Sequence, residues 1–299
     1  MTGLTLLYFV KVSLSINTKT DNMKLIKKIL LQVLLAVSCI TISYADEMRH
    51  PVDTIRVMSY NIHTGVGIDG KFDLERIARL ITEYNIDIAG LQEVDQGVER
   101  TDRVDTMKKL SELTGMYAAF GMAIPFQGGE YGNGILSRYP VIKEHNHPYL
   151  FEQSGEHRVL LYVFVEYGHD TLLVMNTHLD HRPDDAERLK SVEEIVSIAS
   201  KYEDMPMFLI GDINDTPGSR GVSKLKETFS DVWDEAGEGA GYTFHTEDLN
   251  RRIDYIFYPA RHNEDAAGIY FRPIHAYTIQ TPASDHLPVV AEFEVYVIE

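Results

Sequence analysis

Six short segments of this 299-residue chain combine acidic, amide and imidazole side chains, which are groups that handle protons, metal ions and phosphoryl oxygens. The residues concerned are Asn61, Glu93, His178, Asp212 and Asn214, Asp254, and Asp285 and His286. The sequence contains a single cysteine, Cys39, so beyond that position neither disulfides nor a thiolate site can form. The pattern indicates a hydrolytic site built from oxygen and nitrogen groups.

Hydrolysis of a phosphate ester is the reaction that such a set of side chains fits best. The attacked group is an anion, and a divalent cation can neutralise and orient it. Mg²⁺ prefers oxygen ligands and keeps several waters, so one or two carboxylates suffice to hold it. Asparagine and histidine can hydrogen-bond phosphoryl oxygens without adding repulsion. A histidine beside an aspartate can be held in one tautomer and take a proton from water.

Taken singly, each of these residues also has an ordinary structural explanation. Glu93 could be an exposed strand end, Asp212 could cap a helix, and His178 could be a hydrogen-bonded, semi-buried residue. Comparable explanations exist for the others. Their joint occurrence, each at the end of a strand-like run, is what favours a functional site.

The elements that must position these residues follow from the apolar periodicity. Strand-like runs cover residues 55–60, 86–91, 134–137, 141–142, 159–166, 171–176, 207–210, 253–258 and 287–297. Helical spacing covers residues 73–84, 106–113 and 183–200. Hairpins are mixed with strand–helix–strand units, which predicts mixed sheets with helices outside them. We expect the polar residues to meet where the strands end.

The charge balance bears on the class of substrate. The chain has 28 lysine and arginine residues against 45 aspartate and glutamate residues, a formal net charge of −17. Such a field repels a polyanion at long range, and non-specific nucleic-acid binders usually show the opposite balance. The balance disfavours a nuclease, although a local basic patch would keep that interpretation open.

The first 45 residues differ from the rest of the chain. A lysine-rich segment at residues 24–28 precedes an almost wholly apolar run at residues 29–42, and small residues follow at Ser43 and Ala45. The run is too short to predict a membrane span. We therefore predict an N-terminal extension and signal peptide at residues 1–45, with Met23 as the natural start, and one catalytic domain at residues 46–299. Export to the periplasm or medium follows, and Cys39 leaves a lipidated form open.

The motifs together resemble the endonuclease/exonuclease/phosphatase superfamily, which includes pancreatic-type deoxyribonucleases, abasic-site endonucleases, bacterial sphingomyelinases and inositol polyphosphate 5-phosphatases. The resemblance covers residues 54–293 and rests on the strand-end residues named above. It implies an α/β fold, namely a four-layer α/β sandwich with two central mixed β-sheets flanked by helices.

The resemblance also implies a divalent cation, Mg²⁺ with Mn²⁺ as an alternative. Glu93 matches the principal metal ligand, with Asn61 beside it contacting the metal or the phosphate. Asp285 would complete the metal site, directly or through water.

The remaining motif residues match groups that act on the phosphate and the water. His178 would stabilise the transition state, while Asp212 and Asn214 would orient the attacking water, Asn214 also binding a phosphoryl oxygen. His286 would be a general base or a phosphate ligand, with Asp254 as its orienting carboxylate. Abasic-site endonucleases often carry tyrosine in place of His178, which favours the other branches. We expect the carboxylate of Asp254 within hydrogen-bonding reach of the His286 ring, on the same side of the cleft as Glu93 and Asp212.

Some further residues could serve the site. Arg158 is predicted as a substrate ligand, because a guanidinium can grip a phosphate with two hydrogen bonds. Arg100 and Arg182 fit surface salt bridges better. The glycine-rich segment at residues 128–134 is predicted as a loop, in which Asn133 is either structural or a substrate contact.

The sequence therefore predicts an exported, divalent-metal-dependent phosphoesterase that hydrolyses a phosphodiester or phosphomonoester by in-line attack of water. A small phosphoester or a lipid headgroup fits the acidic surface best, and no obligate protein partner is evident. A nuclease acting on DNA or RNA is the alternative, and a catalytically inactive binding protein of the same fold is the alternative of another class. Specificity is expected in residues 95–107, 124–132 and 234–250, which contain no motif that names the substrate.

Overall fold

Strands dominate the part of the chain that the computed structural model describes, which is residues 50–150, 155–260 and 268–298 together with Gln32. The predictions for residues 1–45, including the signal peptide, the start at Met23 and lipidation of Cys39, fall outside the described residues apart from Gln32. Pro51–Glu299 forms one structural unit. No helix among the described residues is both long enough and apolar enough to cross a membrane.

Twelve strands are present in the described residues: β1 (Asp53–Asn61), β2 (Ile88–Gln96), β3 (Tyr117–Phe126), β4 (Gly129–Ser137), β5 (Val141–Pro148), β6 (Val159–Tyr167), β7 (Asp170–His178), β8 (Met207–Asp212), β9 (Phe229–Asp231), β10 (Asp254–Pro259), β11 (Gly268–Thr278) and β12 (Val289–Ile298). They form two six-stranded sheets. The order in sheet one is β11-β12-β1-β2-β4-β3, and in sheet two it is β5-β6-β7-β8-β10-β9.

The α-helices of the same residues are α1 (Leu74–Glu83), α2 (Thr106–Thr114), α3 (Ala186–Ala199), α4 (Arg220–Leu225) and α5 (Val232–Ala236). The side chain of Asp73 accepts from a backbone N–H of the first turn of α1, and Asp105 does the same for α2. Helix α2 ends at Gly115, whose φ of 73° suits a residue without a Cβ atom. The spacing predicted a helix from residue 183, but α3 begins three residues later, at Ala186.

Apolar side chains fill three layers between the sheets and helices. The central layer lies between the two sheets and includes Val57 and Ile135 from sheet one and Val174 and Ile210 from sheet two. A second apolar cluster joins α1 and α2 to the outer face of sheet one, and a third joins α3 and α4 to the outer face of sheet two. The predicted four-layer α/β sandwich with two mixed sheets is therefore confirmed.

The prediction of a loop at residues 128–134 is wrong. Residues from Gly129 onward belong to β4, which forms a hairpin with β3 around a turn at Gln127 and Gly128, both with positive φ. The glycines serve close strand contact: a Cβ atom on Gly132 would lie 1.9 Å from the carbonyl oxygen of Gly121. Glycine enrichment here reflects an irregular strand pair rather than a loop.

Strand direction brings the predicted functional residues to common ends of the sheets. Strands β1 and β2 are parallel, as are β7 and β8, so their carboxyl ends lie side by side. Strand β10 is antiparallel to β8, and its first residue, Asp254, pairs with the last residue of β8, Asp212. Strand β12 is antiparallel to β1, with Val289 opposite Ser59, so residues 285–286 precede β12 at the end where β1 finishes.

Candidate active site

Side chains from both sheets converge on the buried carboxylate of Asp212. Asn61 donates from Nδ2 to Oδ2 of Asp212 at 3.1 Å and to Oε1 of Glu93 at 3.0 Å. His178 Nε2 lies 3.5 Å from the same Asp212 oxygen, and His286 Nε2 lies 3.8 Å from it. Residues far apart in sequence therefore form one cluster across the two sheets.

The predicted contact between Asp254 and His286 is present. Nδ1 of His286 lies 2.9 Å from Oδ2 of Asp254, and both side chains are buried. Burial by itself lowers the pKa of His286, but the charges of Asp254, Asp212 and Asp285 outweigh it and raise the pKa to about 10. These charges therefore favour the imidazolium form of the ring, in which each nitrogen carries a proton.

At Asp212, in contrast to His286, the effect of burial on the pKa prevails over the effect of the oppositely charged neighbour. Burial and then the charge of Asp254 raise the pKa of Asp212 to about 7, although His286, Asn61 and the backbone N–H of Asn214 act to lower it. The Asn214 N–H donates to Asp212 Oδ1 at 2.9 Å. A carboxyl group that titrates near neutrality can accept a proton from water and release it again.

Glu93 owes its position to an irregularity in the sheet. The pairing of β2 with β4 shifts register between Leu91 and Val94, and Glu93 has a positive φ of 58°. Bulges of this kind redirect a side chain near a functional site. The bulge turns the half-buried Glu93 into the cleft that contains Asp212.

A pair of buried amides joins the two sheets below the cleft. Gln92 donates from Nε2 to Oδ1 of Asn176 at 2.7 Å. Asn176 in turn donates from Nδ2 to the carbonyl oxygens of Leu91 and Gly134, both at 2.8 Å. Close approach is required at this level, because a Cβ atom on Gly90 would lie 2.6 Å from the side chain of Ile210. The sequence contained both amides in its strand-end segments but gave no sign that they would meet.

Arg158 lies against His178. Its Nη1 donates to Nδ1 of His178 at 3.0 Å and is 2.7 Å from Oε1 of Glu156. Because arginine can only donate, Nδ1 of His178 must accept and Nε2 must carry the proton. Burial, followed by the charge of Arg158, holds the pKa of His178 well below its usual value. Arg158 also lines the cleft, but its main contact orients a neutral histidine whose Nε2–H faces Asp212.

Two carboxylates in the cleft are suited to a divalent cation. Among the described residues, Glu93 forms no ion pair with an arginine or lysine, and the nearest basic atom to Asp285 is Nδ1 of His63 at 3.9 Å. Asn61 accepts from the backbone N–H of His63 at 3.0 Å, so its amide nitrogen faces the acids and its oxygen is turned away from them. Glu93 and Asp285 thus carry negative charge that a hard cation would offset.

A second set of potential ligands consists of Asp212, Asp254 and His286, whose ligand atoms all lie within 4.8 Å of one another. Here the 2.9 Å hydrogen bond already occupies one ring nitrogen and one carboxylate oxygen, and the imidazolium offsets the negative charge. Among the described residues, Oδ1 of Asp254 is buried without a hydrogen-bond partner, so this group keeps one free ligand atom. Glu93 and Asp285 remain the predicted metal ligands, and the buried group is a second candidate.

Thr243 is a residue of the site that the sequence did not reveal. Its hydroxyl accepts from the backbone N–H of Asp254 at 3.4 Å, and its carbonyl oxygen accepts from the N–H of Leu287 at 2.8 Å. This fully buried threonine thus connects the chain at Asp254 with the chain at His286. It lies in a segment without periodicity or motif, so no sequence signal marks it.

Ser284 connects the same histidine to the other sheet end. Its hydroxyl donates to the carbonyl oxygen of Asn61 at 2.8 Å and accepts from the backbone N–H of His286 at 3.1 Å. The residue stands in a segment that the sequence singled out, but only its acidic and histidine neighbours were given roles. These two hydrogen bonds satisfy a hydroxyl that is fully buried.

The cluster opens into a cavity of about 430 Å³. Its outer lining includes Arg100, Ile124, Phe126, Tyr131, Glu156, His181, Phe244, Arg251 and Ile253. Each of the three segments expected to select the substrate contributes to this lining. A larger groove, of about 780 Å³, lies between α2 and β3 and contains none of the predicted site residues.

The other predicted candidates have structural partners. Arg100 is bonded to Asp95 at 2.7 Å, and Arg182 is bonded to Asp180 at 2.9 Å, as expected for salt bridges. Asn133 donates from Nδ2 to the carbonyl oxygen of Val159 at 3.2 Å. That contact joins β4 to β6 across the sheets, which favours the structural interpretation of Asn133.

Comparison with known proteins agrees with this arrangement. A sequence model described as the Endonuclease/Exonuclease/phosphatase family matches residues 58–286, which spans every residue of the cluster. The chain belongs to the endonuclease/exonuclease/phosphatase family. Members of this family are phosphoester hydrolases that depend on a divalent metal.

Individual relatives are distant. The uncharacterized protein YbhP of Escherichia coli (strain K12) is 24% identical over 254 residues, which is 81% of this chain and 97% of YbhP. A 5′-tyrosyl-DNA phosphodiesterase of Caenorhabditis briggsae is 26% identical over 196 residues, which is 61% of this chain and 50% of that protein. The structure of a mannosyl-6-phosphatase of Bacteroides thetaiotaomicron superposes with a TM-score of 0.63 at 18% identity, over 80% of this chain and 99% of that one. At that identity the superposition establishes a shared fold.

Proposed function

We propose that the protein is an exported, Mg²⁺-dependent phosphoesterase that hydrolyses a small phosphomonoester or phosphodiester by in-line attack of water. The observation that carries the proposal is the convergence of Asn61, His178 and His286 on Asp212, beside the carboxylate of Glu93. Such a set can bind an anion, donate hydrogen bonds to it and accept a proton at one place.

Each side chain then has a distinct task. Glu93 and Asp285 would hold the cation, which would neutralise negative charge on the phosphate. Asp212 takes the proton of the attacking water, which suits a carboxyl group with a pKa of about 7. Neutral His178 donates from Nε2 to a phosphoryl oxygen, and the imidazolium of His286 does the same with a full charge. His286 is thus a phosphate ligand in this proposal rather than the general base.

The proposal predicts metal-dependent hydrolysis of simple phosphate esters. Purified protein should cleave bis-(p-nitrophenyl) phosphate or p-nitrophenyl phosphate with added Mg²⁺, lose activity in EDTA and regain it when Mg²⁺ is restored. Asp212→Asn serves as the control for contaminating hydrolases, because it removes the proton acceptor with little change in volume. Activity that survives EDTA treatment, or that Asp212→Asn retains, would contradict the proposal.

The choice of a small substrate over nucleic acid rests on charge and size. The net charge of −17 opposes approach of a long polyanion, and the cavity of about 430 Å³ is of the size that small-molecule sites have. The relatives include both a DNA-linked diesterase and a sugar phosphatase, so both reaction types occur among similar proteins. Plasmid DNA in the same assay decides the matter, and we expect it to be a poorer substrate than the small esters. We propose no obligate protein partner.

Export is the part of the proposal that rests on sequence alone. The order of a lysine-rich segment, an apolar run and small residues before Asp46 supports cleavage after Ala45. Mass spectrometry of the protein from its native host should show a chain that begins at Asp46 or at a lipidated Cys39. Recovery of a cytoplasmic protein with residues 24–45 intact would remove this part and leave the enzymatic proposal standing.

A further inference from the structure

Three arginine side chains line the cleft, and two of them have partners within the protein. Arg100 donates to both carboxylate oxygens of the buried Asp95, at 2.7 and 2.8 Å. Arg158 lies 2.7 Å from Glu156 and donates to His178. The charges of these two arginines are therefore largely offset by the protein itself.

Arg251 is different. Its side chain is exposed in the cleft and, among the described residues, forms no ion pair with a carboxylate. Its guanidinium carbon lies 4.6 Å from the centre of the Phe244 ring, an arrangement that holds the charge in place by cation–π attraction. The backbones of the two residues exchange hydrogen bonds of 3.1 Å. The Phe244 ring lies in turn 4.7 Å from the ring of His286. Among the described residues, Arg251 is thus a cation without a carboxylate partner, and the Phe244 ring lies between it and His286.

The charge of Arg251 is not needed to bind the scissile phosphate. In the proposed function, His178, His286 and the metal ion at Glu93 would already provide hydrogen bonds and positive charge to that group. In a chain with 45 acidic residues, a cleft arginine that has no acidic partner among the described residues attracts anions locally. Guanidinium groups match phosphate and carboxylate with two parallel hydrogen bonds, which gives selectivity as well as affinity.

We propose that Arg251 binds a second anionic group, a phosphate or a carboxylate, on the alcohol part of the substrate. The inference rests on the proposed function, since it requires the scissile phosphate to bind at Asp212. It narrows the substrate class to small phosphate esters that carry two acidic groups. Phosphate and carboxylate share the oxyanion chemistry that Arg251 would recognise, and the experiment separates them.

The test compares matched substrates. Glucose 6-phosphate with glucose 1,6-bisphosphate tests a second phosphate, and glycerol 3-phosphate with 3-phosphoglycerate tests a carboxylate. The wild-type kcat/KM should be higher for the doubly acidic member of at least one pair. Arg251→Ala should lower that value by about tenfold or more, as expected for loss of a charge-assisted hydrogen-bond pair. The kcat/KM for the singly acidic member should stay within about twofold, because its contacts are unchanged.

Two controls isolate the guanidinium. Arg251→Lys keeps the charge but loses the planar, bidentate geometry, so it should recover only part of the preference. Arg79→Ala removes another exposed arginine, which lies on α1 and does not line the cleft, and should leave kcat/KM for both members of each pair unchanged.

Other outcomes would overturn the inference. If Arg251→Ala lowered kcat/KM equally for both members of each pair, Arg251 would act on the scissile phosphate instead. If the wild type showed no preference for the doubly acidic member of either pair, the second anion site would likewise be rejected. If the wild type hydrolysed no member of either pair, the proposed function would be in question; calorimetric binding of the four compounds would then decide, and equal affinities of wild type and Arg251→Ala would reject the second anion site.

Discussion

Replacing Glu93 with glutamine should abolish most hydrolysis and weaken Mg²⁺ binding while leaving the fold intact. The substitution keeps the volume of the side chain and its contact with Asn61 but removes a negative charge that, among the described residues, forms no ion pair with an arginine or lysine. Because a bound cation contributes several kcal/mol to transition-state stabilisation, kcat/KM should fall by roughly 10³-fold or more. Turnover measured across Mg²⁺ concentrations, with calorimetric Mg²⁺ titration, checks both effects.

Glu83→Gln is the matched control for this variant. Glu83 is an exposed residue of α1, so the same change of chemistry there should alter neither Mg²⁺ affinity nor turnover. Circular dichroism and thermal unfolding of both variants report on the fold. Wild-type turnover and Mg²⁺ affinity in Glu93→Gln would show that the cation is held elsewhere, with the group of Asp212, Asp254 and His286 as the next candidate.

Asp254→Asn should slow turnover by about 10²- to 10⁴-fold, the range in which a proton-handling group contributes to catalysis. Its effect on Mg²⁺ affinity should be small, because Asp254 contacts His286 and not Glu93. Since the charge of Asp254 is the largest influence that raises the pKa of His286, its removal lowers that pKa. Activity that requires an imidazolium is lost as pH rises through this pKa, so the alkaline limb of the pH profile of kcat should move to lower pH.

The split between turnover and metal affinity separates this variant from Glu93→Gln. Asp248→Asn, at an exposed position six residues before Asp254 and outside β10, should leave the pH profile unchanged. Equal losses of turnover and Mg²⁺ affinity in Asp254→Asn would instead place Asp254 among the metal ligands. An unmoved alkaline limb would show that His286 does not act as an imidazolium.

The site could be predicted from the sequence to the extent that its residues stand at strand ends. Asn61, Glu93, His178 and Asp212 end or follow apolar runs, and parallel pairing places such ends together whatever the details of packing. Contacts made through buried backbone groups left no such mark. The hydroxyl of Thr243 matters because two distant backbone segments pass beside it, which depends on tertiary structure alone.

The limits of the fold prediction have similar causes. Strand β3 carries alanine and glycine instead of a clear alternation of apolar and polar residues, so its sequence does not predict a strand. Glycines in β4 suggested a loop, because a glycine needed for close strand contact and a glycine needed for a turn look alike in a sequence. The sequence does not predict the contact between Arg158 and His178 for a different reason. The two residues come together only because their strands, β6 and β7, pair with each other.

The amide pair of Gln92 and Asn176 determines how far one sheet can slide over the other. Apolar surfaces tolerate small lateral displacements, because contact between methyl groups has little direction. Displacement here would instead separate buried donors and acceptors, at a cost of about 1–3 kcal/mol for each group left unpaired. Glu93 follows Gln92 in one sheet, and His178 lies two residues beyond Asn176 in the other. The width of the cleft is therefore set by the buried hydrogen bond between Gln92 and Asn176, which lies beneath the cleft where no substrate reaches it.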